Sequence, residues 1–206
     1  MSAVVNRIYL YKGYERFWHW SQAGLIFFML FTGFEVHGTY EFWGFKTAVE
    51  YHIYAAWALL VLWAFTIFWQ FTTGEWRHYI PSLKKVDAMI KYYTYGIFVH
   101  APNPYQKTTD NKHNPLQRLA YLAVLSLMSP LVWGSGLFYL FYGVWQPTWL
   151  GGYLPLDVVA FVHTAGAFMF LIFIIAHIYL TTTGHTVFAH IKTMITGWEE
   201  IEEEHK

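Results

Sequence analysis

Apolar residues in this chain gather into four long runs: 17–36, 51–71, 118–141 and 157–183. The first is uncharged up to Glu35 and the second through Gly74. About 20 mostly apolar residues in a helix cross the hydrocarbon core of a bilayer. The pattern therefore predicts an all-α integral membrane protein, a four-helix bundle forming one domain over 1–206. No charge occurs from 119 to 156, so the connection between the last two runs is itself apolar and aromatic. Between the second and third runs lies a long polar segment, 72–115. Within it Leu83, Val86, Met89, Ile90 and Tyr93 recur at helical spacing after Pro81-Ser82-Leu83. This predicts an interfacial amphipathic helix with Ser82 as its cap. Asn103-Pro104 and Asp110-Asn111 read as turns. After Gly184 the tail repeats the amphipathic pattern with Val187, Ile191, Met194 and Ile195, and its acidic run 199–204 reads as a solvated end. No internal sequence repeat is apparent.

Composition agrees with a membrane setting. Only 13% of residues are charged and 56% are hydrophobic, whereas soluble domains carry about 25% charged residues. The first 16 residues contain Arg7, Lys12, Glu15 and Arg16, which is unlike a cleavable signal peptide. There is no cysteine, which excludes thiolate-held iron–sulfur clusters and C-x-x-C-H haem attachment within the chain. The formal net charge is zero, so bulk charge implies no nucleic-acid partner. Every Lys and Arg except Lys46 falls on one side of the predicted spans. By the positive-inside rule both termini and the 72–115 segment are then cytoplasmic.

Histidines carry the chemistry. Segment 158–191 holds no Asp, Glu, Lys or Arg, yet contains His163 and His177. Ionisable residues inside a membrane are costly, and they mark functional sites. Fourteen residues advance roughly 21 Å and return to nearly the same helix face at about 100° per residue. Two such imidazoles cannot share one metal ion. His19 and His52 lie near the starts of the first and second runs. Chain direction places His52 level with His163 near the outer side, and His19 level with His177 near the inner side. Two bis-histidine sites result. Zinc in structural sites wants four ligands, so paired axial imidazoles suit b-type haem better. Gly24 and Gly166 could let a flat ring approach a helix. His37 stands on the outer side as a substitute for His52. The remaining histidines, His78, His100, His113, His185, His190 and His205, fall in the inner loop and tail and read as solvated or interfacial.

Several motifs join these histidines. Arg16-Phe17-Trp18-His19-Trp20 opens the first run, and Asn114-Pro115-Leu116-Gln117-Arg118 opens the third. Phe188-Ala189-His190-Ile191-Lys192 and Ile195-Thr196-Gly197 follow the fourth. Together they resemble the dihaem cytochrome b subunits of bacterial respiratory complexes. That group includes the gamma subunit of membrane formate dehydrogenase and the cytochromes b of nickel–iron hydrogenase and of thiosulfate-reductase-type enzymes. The resemblance implies two haem b groups held by His19, His52, His163 and His177 in the bacterial inner membrane. It also implies electron passage between a periplasmic iron–sulfur or multihaem partner subunit and a quinone, menaquinone or ubiquinone. Asn114 and Gln117 match the quinone-binding positions, close to His177. Pro115 and Leu116 depart from the glycine-containing spacer of the formate enzyme. From the residues alone, Asn114 before Pro115 is also a strong helix start. Such a subunit reacts with quinone and has no primary-substrate site of its own. Alternative readings are a stand-alone four-span cytochrome that oxidises quinol, and a haem-free proton-coupled transporter.

Overall fold

The computed structural model describes residues 5–99, 101–109 and 111–202. His100, Asp110 and His205 lie outside them. Among the described residues the protein is mostly helical, and three helices are long and apolar enough to cross a membrane: Phe45–Thr73, Pro115–Leu140 and Leu156–Thr181. The first expected span is also one continuous helix, Gly13–Val36. Its opening turns carry Glu15, Arg16, Ser21 and Gln22, which lower its apolarity. Contacts divide the chain into two compact units, residues 1–78 with 108–112 and 184–206, and residues 79–107 with 113–183.

The first unit is built on a helical hairpin, α1 (Gly13–Val36) and α2 (Phe45–Thr73). One oxygen of Glu35, at the end of α1, accepts the N–H groups of Phe42, Trp43 and Gly44 at 2.6–2.8 Å. These amides precede α2, whose first turn cannot satisfy its own donors, and a negative charge there suits the helix dipole. The turn needs Gly44, whose φ of 83° disfavours a side chain. Across the hairpin Gln22 accepts the indole N–H of Trp63 at 2.9 Å, and Tyr14 bonds Thr66 at 3.1 Å.

At the other end of this hairpin the buried Lys112 ammonium donates to Glu15 (2.9 Å) and Glu75 (2.6 Å). Lys12 pairs with Glu75 at 2.5 Å, and His78 faces it at 3.3 Å. Burial pushes the Glu75 carboxyl up, but bonds from Lys112 and Lys12 outweigh it and hold the group below the usual carboxylate range. The same bond from Glu75 raises Lys12.

The acidic run corrects two expectations. Trp198–Glu202 is a strand, β2, paired antiparallel with β1 (Val5–Tyr9) so that Arg7 faces Glu200. The chain is thus not purely α, and these glutamates are not merely a solvated end. Arg7 and Lys192 reach Glu200 at 2.9 and 3.3 Å, while Glu199 is buried. Backbone pairing and neutralising partners let an acidic segment hold a strand.

The second unit contains α3 (Val86–Thr94), α4 (Pro115–Leu140) and α5 (Leu156–Thr181). α3 is the predicted amphipathic helix with Met89 fully buried. It starts later than Ser82 suggested. The Ser82 hydroxyl accepts from Lys84 N–H at 3.3 Å in a turn, and Lys85 (φ 63°) precedes the helix. The Asn103 turn is present, with Tyr105 N–H on its side chain at 3.0 Å. α4 is interrupted by a π-helical turn, Val124–Met128, where Ser129 N–H reaches back to Val124 O. Pro130 follows at once and has no N–H to continue an α ladder, so the turn absorbs the mismatch.

α4 and α5 pack closely at Gly166, where a Cβ would come within 2.6 Å of the Val132 side chain. The expected role of Gly166 beside a cofactor is therefore, in this unit, a helix-packing role. At Gly24 a Cβ would meet nothing within 4 Å. Phe161, Ile172 and Ile175 of α5 are exposed, as a lipid-facing surface requires.

Candidate functional site: histidines on two helical hairpins

His52 occupies the first turns of α2, directly across from Thr32 and Gly33 of α1. The Thr32 hydroxyl lies 2.9 Å from His52 Nδ1 and Thr32 is fully buried. A Cβ on Gly33 would stand 3.4 Å from His52 Cε1. His163 of α5 is placed the same way by α4. Its Nδ1 is 3.1 Å from the Ser135 hydroxyl and 3.1 Å from the Val132 carbonyl oxygen. A Cβ on Gly136 would stand 3.2 Å from His163 Cε1. Each hairpin therefore sets a hydroxyl residue and then a glycine against the histidine of its second helix. The sequence shows this only as Thr-Gly and Ser-Gly pairs inside apolar runs. His37, the possible substitute for His52, is exposed at the end of α1.

His19 sits one turn inside α1 within the Arg16–Trp20 motif. Arg16 donates to Ile195 O at 2.6 Å and Trp20 to Met194 O at 3.1 Å. Those carbonyls lie in the last turn of α6 (Ala189–Thr196), where a cation is favourable. Residues four apart grip α6 and so fix the rotation of α1, with His19 between them. Gly197 (φ 87°) then turns the chain into β2, and its carbonyl accepts from Leu10 at 2.8 Å. This links the motif of the first run with the tail motif. His177, the second histidine of α5, stacks on Phe173 with ring centroids 5.9 Å apart.

Asn114 and Gln117 form a capping box at the start of α4. Asn114 Oδ1 accepts Gln117 N–H at 2.8 Å, and Gln117 Oε1 accepts Asn114 N–H at 2.9 Å. The helix-start reading of Asn114 is thus correct. Asn114 Nδ2 also donates to the Tyr93 phenol at 3.0 Å. Burial pushes that phenol up, opposed by the bond from Asn114. Beside the box His113 is buried, against the solvated reading of the inner-loop histidines. Its ring lies 4.9 Å from that of Tyr79 and 5.1 Å, edge-on, from that of Tyr121. Tyr79 is 34 residues away and Tyr121 lies on the next helix turns, so no local pattern announces the cluster.

The family model described as "Prokaryotic cytochrome b561" matches residues 10–197. The chain belongs to the prokaryotic cytochrome b561 family. This cytochrome is also 31% identical over 200 residues to an Escherichia coli (strain K12) protein described as "Putative cytochrome YdhU", covering 94% of the chain and 75% of that relative. No solved structure matches it. Membership makes it a b-type haem membrane cytochrome that serves electron transfer. The donor chemistry fits that group. Among the described residues no three His, Cys, Asp or Glu side chains gather as a bare-ion site would need. The span histidines are single imidazoles, two of them oriented through Nδ1, as axial ligands to a porphyrin iron require.

Proposed function

We propose that this cytochrome is a two-haem subunit passing electrons across the bacterial inner membrane between a periplasmic oxidoreductase partner and quinone. The observation that carries it is the matched setting of His52 and His163, each held through Nδ1 against a hydroxyl residue and a glycine. In this reading α1, α2, α4 and α5 are the four spans, with both termini cytoplasmic because all basic residues but Lys46 lie on that side. Equal depth in the sequence assigns His52 and His163 to an outer haem, and His19 and His177 to an inner one. Bis-histidine haem supplies one-electron transfer without an open coordination position.

The chain's own residues do the rest. Arg16 and Trp20 hold α1 in the rotation that presents His19, and Phe173 supports His177. A quinone near the inner haem would meet the start of α4. Both residues cap α4 through their oxygens, but Asn114 Nδ2 already donates to Tyr93, so Gln117 Nε2 is the amide suited to donate to a quinone carbonyl. The partner is an iron–sulfur or multihaem protein on the periplasmic side.

Reduced-minus-oxidised spectra with pyridine haemochrome quantitation test this reading. Two haems b per chain are expected. His52→Ala and His163→Ala should each lose the same haem, while His19→Ala and His177→Ala lose the other. Less than one haem per chain would sink the proposal.

A further inference from the structure

The two hydroxyls beside the histidines have a single proton each, and the surrounding carbonyls decide where it goes. Thr32 Oγ1 lies 3.0 Å from Phe28 O and 3.2 Å from Met29 O. A carbonyl oxygen can only accept, so the hydroxyl proton bonds back into α1, as Ser and Thr do inside helices. Toward His52 Nδ1, at 2.9 Å, Thr32 Oγ1 is then an acceptor. With the hydroxyl proton in that backbone bond, the imidazole proton sits on Nδ1.

Ser135 repeats the arrangement. Its hydroxyl bonds back to Leu131 O and Val132 O in α4. It therefore accepts from His163 Nδ1. The Val132 carbonyl, 3.1 Å from the same nitrogen, demands the same tautomer independently. Gly33 and Gly136 complete the setting. A Cβ on Gly136 would crowd the imidazole edge at 3.2 Å, and one on Gly33 would touch it at 3.4 Å, so each ring lies close to the backbone of the helix that holds it.

We propose that Thr32 and Ser135 are positioning residues that fix His52 and His163 as Nδ1–H tautomers and direct Nε2 to haem iron. The tautomer follows from contacts within each hairpin. Its consequence for iron rests on the haem-ligand reading above. A hydrogen bond from the distal ring nitrogen makes an imidazole a stronger donor. Stronger donation favours ferric iron and lowers the haem potential, one of the levers a protein has on a b-type centre. Ser135→Ala leaves the Val132 carbonyl on His163, so its loss should matter less than that of Thr32.

The test uses the full-length chain in its native membranes and, for NMR, solubilised with ¹⁵N-histidine. Wild type should show His52 and His163 protonated at Nδ1. Thr32→Val should raise the midpoint potential of one haem and shift its ferric EPR signal, with the other haem unmoved. Thr32→Ser, which keeps the hydroxyl, should restore both. Ser135→Ala should move the same haem by less. A simple packing defect would alter neither potential nor tautomer selectively.

Unchanged potentials and spectra in both variants, at full haem content, would overturn the proposal. So would equal shifts in Thr32→Val and Thr32→Ser, or Nε2-protonated rings in the wild type. Shifts in two different haems would uphold the positioning role and break the shared outer site. Nδ1–H rings in a chain that binds no haem would uphold the tautomer and break the haem reading.

Discussion

The α1–α2 hairpin holds His52 with Thr32 and Gly33, and the α4–α5 hairpin holds His163 with Ser135, Gly136 and the Val132 carbonyl. Three residues beyond each histidine stands a small buried residue, Ala55 in one and Gly166, set against Val132, in the other. Fourteen residues beyond, the hairpins part. α5 carries His177, whereas α2 carries Thr66, bonded to Tyr14, and the first unit bears its second span histidine on α1 as His19. The feet differ as well. The first unit is bound there by buried charges around Lys112. The second is bound by neutral amides at Asn114 and by the aromatic rings around His113. One way of presenting a histidine is thus kept while its surroundings vary, which separates what orients the ring from what merely closes the helix pair.

The comparison can be broken hardest at Lys112. Lys112→Met removes the buried cation shared by Glu15 and Glu75, leaving Glu75 with Lys12 and Glu15 with only the Lys12 N–H. Breaking a buried ion pair costs about 3–5 kcal/mol. Thermal unfolding in detergent should show that loss, and hydrogen exchange should rise in α1 and not in α5.

Next is the small residue behind each histidine. Gly166→Ala drives a methyl into Val132 and should cost about 1–3 kcal/mol as overpacking. Ala55 already occupies the matching place in the first hairpin. Ala55→Gly should cost only about 0.5–1 kcal/mol, from helix propensity. Equal losses would deny that the two positions differ in closeness.

The capping box offers a smaller effect. Asn114→Ala should cost about 1 kcal/mol, seen as fraying of the first turn of α4 by amide exchange, with α1 unaffected.

Acid gives the smallest and most selective contrast. Glu75, faced by Lys112, Lys12, His78 and nearby Glu15, has its folded-state pKa depressed. Its stabilisation is complete above the ordinary value near pH ~4.3 and is lost as pH falls through the lower folded value. Lys12 is raised, so its share is complete below about pH 10.4 and is lost as pH rises further. Protection of the first turns of α1, relative to the intrinsic exchange rate at each pH, should therefore fall in acid. The cap of α4, which contains no carboxylate, should keep its protection. Equal acid sensitivity of both would defeat the contrast.

Much of the fold was legible because helix length and charge-free runs are local properties. The runs at 51–71, 118–141 and 157–183 correspond to helices long and apolar enough to cross a membrane, and 17–36 to a helix with a polar opening. The cap at Asn114 was legible for the same reason. What escaped depends on contacts between distant residues. Thr32 and Ser135 look like ordinary polar residues in an apolar helix until the facing histidine is known. Lys112 reads as one more inner-loop cation until Glu15 and Glu75, 97 and 37 residues away, close on it. The strand at 198–202 was hidden because its acidic composition argues for solvent, and only Arg7 and Lys192 reverse that. The small repeat shared by the hairpins was missed since their Thr/Ser-to-His spacings, 20 and 28 residues, are unequal, chiefly because the second connection is longer.

The π-helical turn in α4 sets a phase. One extra residue in a helix rotates everything after it by about 100° relative to everything before it. The part of α4 ahead of Val124 is oriented by the Asn114–Gln117 box, and the part after Met128 must aim Ser135 and Gly136 at His163. A single straight α-helix could not satisfy both azimuths with this sequence. Forcing these same residues into regular α geometry would swing the Ser135 edge by about 100° away from the imidazole it holds, whereas deleting one residue from the turn would let the helix become regular and keep that edge in place.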